Sequence, residues 1–340
     1  MLADIEIWRD SLYLGGWCPA KTSTEVVEPA TGAVLGTIGS ASAEDVGQAV
    51  ALARSAQPGW AARPAEERAR VLRSAGELLA DWSDEVADWL IREAGSPREK
   101  ASFEIRLATG EFFAAAALAV QPCGEVLAQQ DPRQQGVAVR IPCGVAGVIA
   151  PFNAPLQLAA RSVAPALALG NAVVLKPDPR TAVSGGVLLA RALELAGLPE
   201  GVFAVLPGDG SIGAALVADK GVDVVSFTGS TRAGLAVSAA AARNLTRAHL
   251  ELGGNSALLV FPDVDLDWRR GWGPPDRSST RGRSAWRPGG ISCTRTSPRS
   301  TSPSSPRSPG RFASGIRAWT RRSRSGRSST RGSGTGCIRW

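Results

Sequence analysis

The chain has 340 residues, enough for two domains, and its apolar share of 44 % is ordinary for a globular protein. The net charge of +7 averages two unlike parts: residues 268–340 hold 17 arginines, no lysine and one acid, Asp276, which leaves 21 basic and 30 acidic residues in 1–267. The longest apolar run, Phe112 to Val120, is nine residues, far short of the roughly 20 that a membrane-spanning helix needs.

The N-terminus MLADIEIWRDSLYLGG has acids and no basic leader, which argues against a secretory signal. Short β-type runs separated by turns such as Pro29-Ala30-Thr31-Gly32 fill the first forty residues. The period then changes. Ser42 before Glu44 and Asp45 marks a helix start. Pro64 opens a second helix, with Val71, Leu72, Ala75, Leu78 and Leu79 on one face. Cys18, Cys123, Cys143, Cys293 and Cys337 show neither metal nor disulfide spacing, so no metal site is expected and a reducing cytoplasm is the expected setting. Cys123 and Cys143 read as buried small apolar residues.

From Val137 onward strands and helices alternate. The strands are GVAVRIPCGVAGVIAP, NAVVLKP, GVFAVLPGDG, VDVVSFTGS and AHLELGGNSALLVFP. The helices between them are LQLAARSVAPALALG, TAVSGGVLLARALELAG, SIGAALVADKG and TRAGLAVSAAAARN. Alternation on this scale predicts an α/β fold with a doubly wound sheet, parallel in its core. Ligands bind such sheets at the carboxyl ends of strands. Those ends are Pro151-Phe152-Asn153-Ala154-Pro155, Lys176-Pro177-Asp178, Gly208-Asp209-Gly210, Phe227-Thr228-Gly229-Ser230 and Glu251-Leu252-Gly253-Gly254. Each has an ordinary explanation: a turn asparagine, a solvated lysine, a helix cap, a surface glutamate. Five together at successive strand ends of one sheet outweigh those explanations.

The stretches APFNAP, ALALGNAVVLKP, VSFTGSTRAG and LELGGNSALLVF, in this order and spacing, resemble the aldehyde dehydrogenase superfamily. EPATGAVLGTIGSAS and ERARVLRSAGELL fit as well, so the resemblance runs from about residue 13 to 267. RSVAPALALGNAVVLKPDPRTAVSGG is most similar to the benzaldehyde and vanillin dehydrogenase branch, which implies an aromatic aldehyde as the small-molecule substrate. The resemblance implies a Rossmann-like cofactor domain that binds NAD or NADP without the usual G-x-G-x-x-G. It makes Asn153 an oxyanion donor and Glu251 the base that activates water. Lys176 would meet the adenosine ribose, and Gly229 and Ser230, with Gly234, the pyrophosphate. Gly210 and Gly213 would let a helix approach the adenine, and Leu252 and Gly253 would line the nicotinamide end. Pro151, Phe152 and Phe227 fall in the same cofactor group. Pro179 stands where many NAD-preferring relatives carry a ribose-binding glutamate, which leaves NAD and NADP both open.

The implied mechanism needs a cysteine that attacks the aldehyde before hydride leaves for the nicotinamide. Family spacing puts it a little over thirty residues past the glutamate. The residue 34 beyond Glu251 is Ala285, and Cys293 comes eight residues too late. One codon choice for Gly282 to Arg295, read from its third base, gives Q-I-C-M-A-A-G-R-H-L-V-H-E, similar to the family's catalytic segment. The same offset over Ser328 to Ile338 permits I-N-E-G-Q-R-D-R-V-H. Two matches in one frame point to a frame slip near Asp267–Trp268. The expected organisation is therefore an N-terminal and cofactor-binding part at 1–267. An Arg/Ser/Pro/Gly-rich part at 268–340, expected to lack packed structure, replaces a catalytic domain. Such a chain is expected to lack dehydrogenase turnover and to expose apolar surface. Two weaker readings are a catalytically dead regulatory subunit and a non-specific nucleic-acid binder acting through the arginines. Intact relatives form homo-oligomers.

Overall fold

A computed structural model describes residues 2–131 and 133–254, and the backbone of two strands at Ser256–Val260 and Pro288–Cys293. The chain divides into two units, Met1–Val260 with Val264–Ser292 and Phe261–Asp263 with Cys293–Trp340. The account below concerns the first unit.

The N-terminal part runs α1 (Ile5–Trp8), β1 (Ser11–Tyr13), β2 (Trp17–Pro19), β3 (Thr22–Val27) and β4 (Val34–Ser40). Four helices follow: α2 (Ala43–Ala61), α3 (Ala65–Asp81), α4 (Ser83–Arg92) and α5 (Arg98–Ala119). A hairpin of β5 (Gly124–Leu127) and β6 (Gly136–Val139) leads into the alternating part. That part comprises β7 (Val145–Ile149), α6 (Pro155–Ala168), β8 (Ala172–Lys176), α7 (Leu188–Leu195), β9 (Phe203–Val205) and α8 (Gly210–Ala218). It continues through β10 (Val224–Gly229), α9 (Thr231–Arg243) and β11 (Arg247–Leu252) to β12 (Ser256–Val260), which pairs with β13 (Pro288–Cys293).

Seven strands form the main sheet in the order β11-β10-β7-β8-β9-β1-β2. The first five are mutually parallel, while β1 runs antiparallel to both its neighbours. The doubly wound, mostly parallel sheet expected from the alternation is therefore present. All five residues of β8 are buried, as a central parallel strand covered on both faces requires. Because side chains alternate along a strand, the sheet serves two cores. Val173 and Leu175 pack with residues of α3, α5, α6 and α7 on one face. Ala172 and Val174 pack with residues of α2, α8 and α9 on the other.

The local signals in the sequence account for most of the boundaries. Ser42 and Asp45 form a reciprocal capping box at α2. The chain leaves α6 through Gly170 at φ 84°, a backbone region that disfavours side chains. Trp60 on α2 is fully buried and donates its indole N–H to the Leu167 carbonyl at 2.8 Å, tying α2 to the end of α6.

Two expectations need correction. The segment before α7 is not a regular helix: a 3₁₀ turn at Pro179–Thr181 passes into a π-helical turn at Val183–Val187. A buried acid from another element sets this geometry. Glu93 accepts from the Val183 amide at 2.9 Å and the Ser184 amide at 2.6 Å. Cys123 and Cys143 are exposed rather than buried, because one leads into the solvated β5–β6 hairpin and the other lies in the connection that enters β7. Within 268–340 the described backbone is β13, paired with β12. The remainder of 268–340, including Ala285 and the boundary at 267, lies outside the described residues.

Candidate functional site

The carboxyl ends of β7, β8 and β10 open into a cavity of about 460 Å³ beneath α8 and α9. Its size is typical of small-molecule sites. Pro151 and Phe152 from the end of β7, Lys176 from β8, and Phe227, Gly229 and Ser230 from β10 all line it. Gly210 and Gly213, in the first turn of α8, complete the set. Eight of the residues expected in a cofactor site thus share one cavity.

Small residues keep the cavity open. A Cβ on Gly213 would sit 3.5 Å from Ile149 Cδ1 and 3.9 Å from Lys176 Cδ, so a methyl group would occupy cavity space without striking the fold. At Gly210 a Cβ would meet nothing within 4 Å. Two helix N-termini also border the space. The Asp209 carboxylate accepts from the Ser211 amide at 2.8 Å to cap α8. The Ser230 hydroxyl accepts from the Ala233 amide at 3.2 Å to cap α9. Helix N-termini present positive potential, which suits an anionic ligand.

Lys176 is the main polar group in this wall. It is only 6 % exposed, and burial holds its ammonium below the usual lysine range. Asp178 and Asp209 act in the opposite direction, favouring the charged form. The solvated strand-end lysine is therefore ruled out: no described residue accepts a hydrogen bond from Nζ. A ligand that offers hydroxyl or phosphate oxygens suits such a donor.

Two charged residues in the wall received no role from the sequence. Asp178 Oδ1 accepts from Arg180 Nε and Oδ2 accepts from Arg180 Nη2, each at 2.8 Å. Burial works to raise the Asp178 carboxyl, but hydrogen bonds from the Arg180 side chain and amide outweigh it and hold the group below the usual range. The Arg180 guanidinium lies over the Phe152 ring, 3.7 Å from its centroid. The lining face of α9, Ala233, Ala236, Val237 and Ala240, was also missed. Its signal was a helical repeat of small residues at i, i+3, i+4 and i+7.

Other predicted residues stand elsewhere. Gly234 does not line the cavity; a side chain there would collide with Leu252, so the glycine serves the packing of α9 on β11. Leu252 and Gly253 are exposed and lie outside this cavity, and Asn153 is half-buried in the turn before α6, also outside it. Glu251 lines a second, more open groove of about 550 Å³ on the opposite face of the sheet, between α6 and strands β7, β10 and β11. Strand alternation explains the separation. Ser226 faces the groove, whereas Phe227 faces the cavity.

The side chain of Glu251 is 49 % exposed and flanked by two basic groups. Arg161 Nη2 is 3.8 Å from Oε2, and His249 Nε2 is 3.5 Å from Oε1. Arg161 Nη2 also donates to Thr228 Oγ1 at 3.1 Å. The sequence reading missed both neighbours, although His249, two residues before Glu251, had to share its face. Among the described residues no group of three or more His, Cys, Asp or Glu side chains could hold a metal ion. No described helix is long and apolar enough to cross a membrane.

Comparison with known sequences resolves the family. The sequence pattern of the "Aldehyde dehydrogenase family" matches residues 17–269. The chain belongs to the aldehyde dehydrogenase family. This aldehyde dehydrogenase homologue is 58 % identical over 265 residues to a vanillin dehydrogenase of Amycolatopsis sp., covering 78 % of the chain and 54 % of that protein. It is 46 % identical over 262 residues to the benzaldehyde dehydrogenase [NAD(+)] of Pseudomonas putida, covering 77 % of the chain and again 54 % of the relative. The crystal structure of an NAD-dependent benzaldehyde dehydrogenase from Corynebacterium glutamicum superposes with a TM-score of 0.72 at 40 % identity. That match covers 76 % of this chain and 57 % of the other. The family member thus spans about half the length of the relatives it matches.

Proposed function

We propose that this chain is the cofactor-binding part of an NAD(P)-dependent dehydrogenase that converts an aromatic aldehyde to its carboxylic acid through a cysteine thiohemiacetal. We further propose that the chain binds the dinucleotide without turning over. The cavity behind Lys176 carries the first statement: a buried ammonium with no acceptor among the described residues, two capped helix N-termini and glycines that keep the space open. The vanillin and benzaldehyde dehydrogenase relatives support the aromatic aldehyde.

The bound nicotinamide supplies a hydride acceptor. The chain's own residues do the rest of the proposed work. Lys176 donates to ribose hydroxyls, and the first turns of α8 and α9 favour the negative pyrophosphate. Phe227, Val237 and the alanines of α9 exclude water around an apolar ring. On the other face, the half-exposed Glu251 carboxylate would serve as base toward the water that hydrolyses a thioester in a relative that carries the thiol. Asn153 offers its side-chain amide to an oxyanion. Ala285, where the family spacing places the attacking thiol, has no nucleophile, so the first covalent bond to the aldehyde cannot form.

The test pairs two measurements on the purified chain. Calorimetric titration with NAD and NADP should show saturable binding. Addition of benzaldehyde or vanillin with either dinucleotide should give no absorbance from reduced nicotinamide. Aldehyde-dependent reduction would refute the absence of turnover, and no binding of either dinucleotide would refute the cofactor reading.

A further inference from the structure

We propose that Glu104 is a positioning residue: from α5 it fixes the start of α6 and the turn at 151–154 before it, and so holds Phe152 in the cavity wall without touching a ligand. The proposal rests on the reading that the cavity binds a dinucleotide, and it concerns what forms the wall before the ligand arrives.

Helix α6 cannot cap its own first turn. Its N-cap is Ala154, whose methyl group accepts nothing, and its first residue, Pro155, has no N–H. The amides of Leu156 and Gln157 need an acceptor from outside the helix. Glu104 Oε1 accepts from both, at 2.9 Å and 3.4 Å. Water does not reach this contact, since Leu156 is 0 % and Glu104 3 % exposed. A carboxylate here also meets the positive end of the helix dipole. Glu104 is itself anchored: Lys100 Nζ donates to its Oε2 at 2.9 Å and to Ser96 Oγ at 2.9 Å.

The turn is thus held at both ends. Upstream, the Ala150 amide donates to the Lys176 carbonyl at 3.1 Å, which ties the turn to β8. Downstream, Glu104 ties it to α5. Pro155 is also seated on the π turn that Glu93 holds: a Cβ on Gly185 would stand 3.0 Å from Pro155 Cβ. With its ends fixed the turn has little freedom, and Phe152 is its residue that lines the cavity together with Pro151. A buried ion pair is a poor device for stability, because well-packed apolar side chains of the same volume do as well or better. An apolar side chain cannot hold two amides, however, and a buried amide without an acceptor is costly. The acceptor, rather than the charge or the volume, is what Glu104 contributes to the turn.

The experiment compares two double variants of the full chain that differ only in that acceptor. Lys100→Met with Glu104→Gln removes both charges and keeps an oxygen for the two amides. Lys100→Met with Glu104→Leu removes the charges and the oxygen while keeping an apolar pair that can pack, so the fold should survive. Urea titration gives the folded fraction of each, and calorimetric titration with NAD gives a dissociation constant for that fraction. The Gln variant should bind as the parent does. The Leu variant should bind roughly 2- to 10-fold more weakly, the cost of re-ordering a side chain that the parent already holds in place. Repeated in a Phe152→Ala background, the difference between the two should vanish, because the side chain being positioned is gone. A residue that serves the fold alone would give both variants the parent's constant, and that result would overturn the proposal while leaving the cofactor reading intact. A difference that persists without Phe152 would overturn it as well. Binding of no dinucleotide by the parent would overturn both.

Discussion

Replacing Gly213 by alanine separates what the cavity does for the fold from what it does for a ligand. The new Cβ would stand 3.5 Å from Ile149 Cδ1 and 3.9 Å from Lys176 Cδ, both ordinary contacts, so nothing in the fold has to move. Gly213 lies inside α8, where alanine is favoured over glycine by about 0.5–1 kcal/mol. The variant should therefore melt higher than the parent, by roughly 1–4 °C for a domain of this size. The same methyl group intrudes into the cavity that is proposed to take a dinucleotide. Forcing a ligand against an extra carbon costs about 1–3 kcal/mol, which weakens binding by roughly 5- to 150-fold. Scanning calorimetry and titration calorimetry on the same preparation measure the two effects. Stability up with affinity down is the predicted pairing. Unchanged affinity would show that the ligand does not sit against α8. A lower melting temperature would show that the packing around Gly213 is tighter than described.

Two buried acids outside the cavity give further expectations. Burial pushes the Glu93 carboxyl up to about 7 from an ordinary 4.5, with hydrogen bonds from Ser184 and Val183 opposing it. A carboxyl whose folded pKa is raised binds more protons when folded, so it costs nothing below pH 4.5 and costs stability as pH rises from 4.5 towards 7. Denaturant unfolding should show a loss on the order of 3 kcal/mol across that window. The slope should flatten in Glu93→Gln, and an identical slope in that variant would refute the assignment. Glu104 is also buried. It accepts from the Leu156 amide at 2.9 Å, at the start of α6 just past Asn153, and pairs with Lys100 at 2.9 Å. Burial pushes its carboxyl up, and Lys100 opposes that. Glu104→Ala leaves Lys100 and the Leu156 amide without their partner and should destabilise the chain by about 3 kcal/mol, read from urea midpoints. A change within about 0.5 kcal/mol would show that water replaces the carboxylate.

The sheet and the cavity were legible for different reasons. Strand–helix alternation from Val137 located the five parallel strands, because buried strands and amphipathic helices leave different periods. Ser42, Pro64, Gly170 and Gly197 marked helix ends by local chemistry that needs no tertiary context. Strand ends and the helix starts after them pointed to Lys176, Gly210, Gly213, Gly229 and Ser230, which line one cavity. What failed depended on contacts distant in sequence. The π turn at Val183–Val187 is imposed by Glu93, 90 residues earlier. The exposure of Cys123 and Cys143 follows from where the chain enters the hairpin and the sheet, which residue type does not reveal. Arg180 gained its place from Phe152 and Asp178, and a lone arginine after a strand carries no such signal. The split of Glu251 from the cavity around Lys176 was readable from strand parity, since Phe227 and Glu251 lie on adjacent strands and Phe227 pairs with Leu250.

Lys176→Met tests the central claim most directly. The substitution keeps the length and burial of the side chain and removes only the ammonium, so the fold should survive. Titration of NAD into the parent and the variant should show one saturable site, weakened roughly 10- to 100-fold by the loss of charge-assisted hydrogen bonds. Equal affinity in the two proteins, or no binding in the parent, would contradict the account.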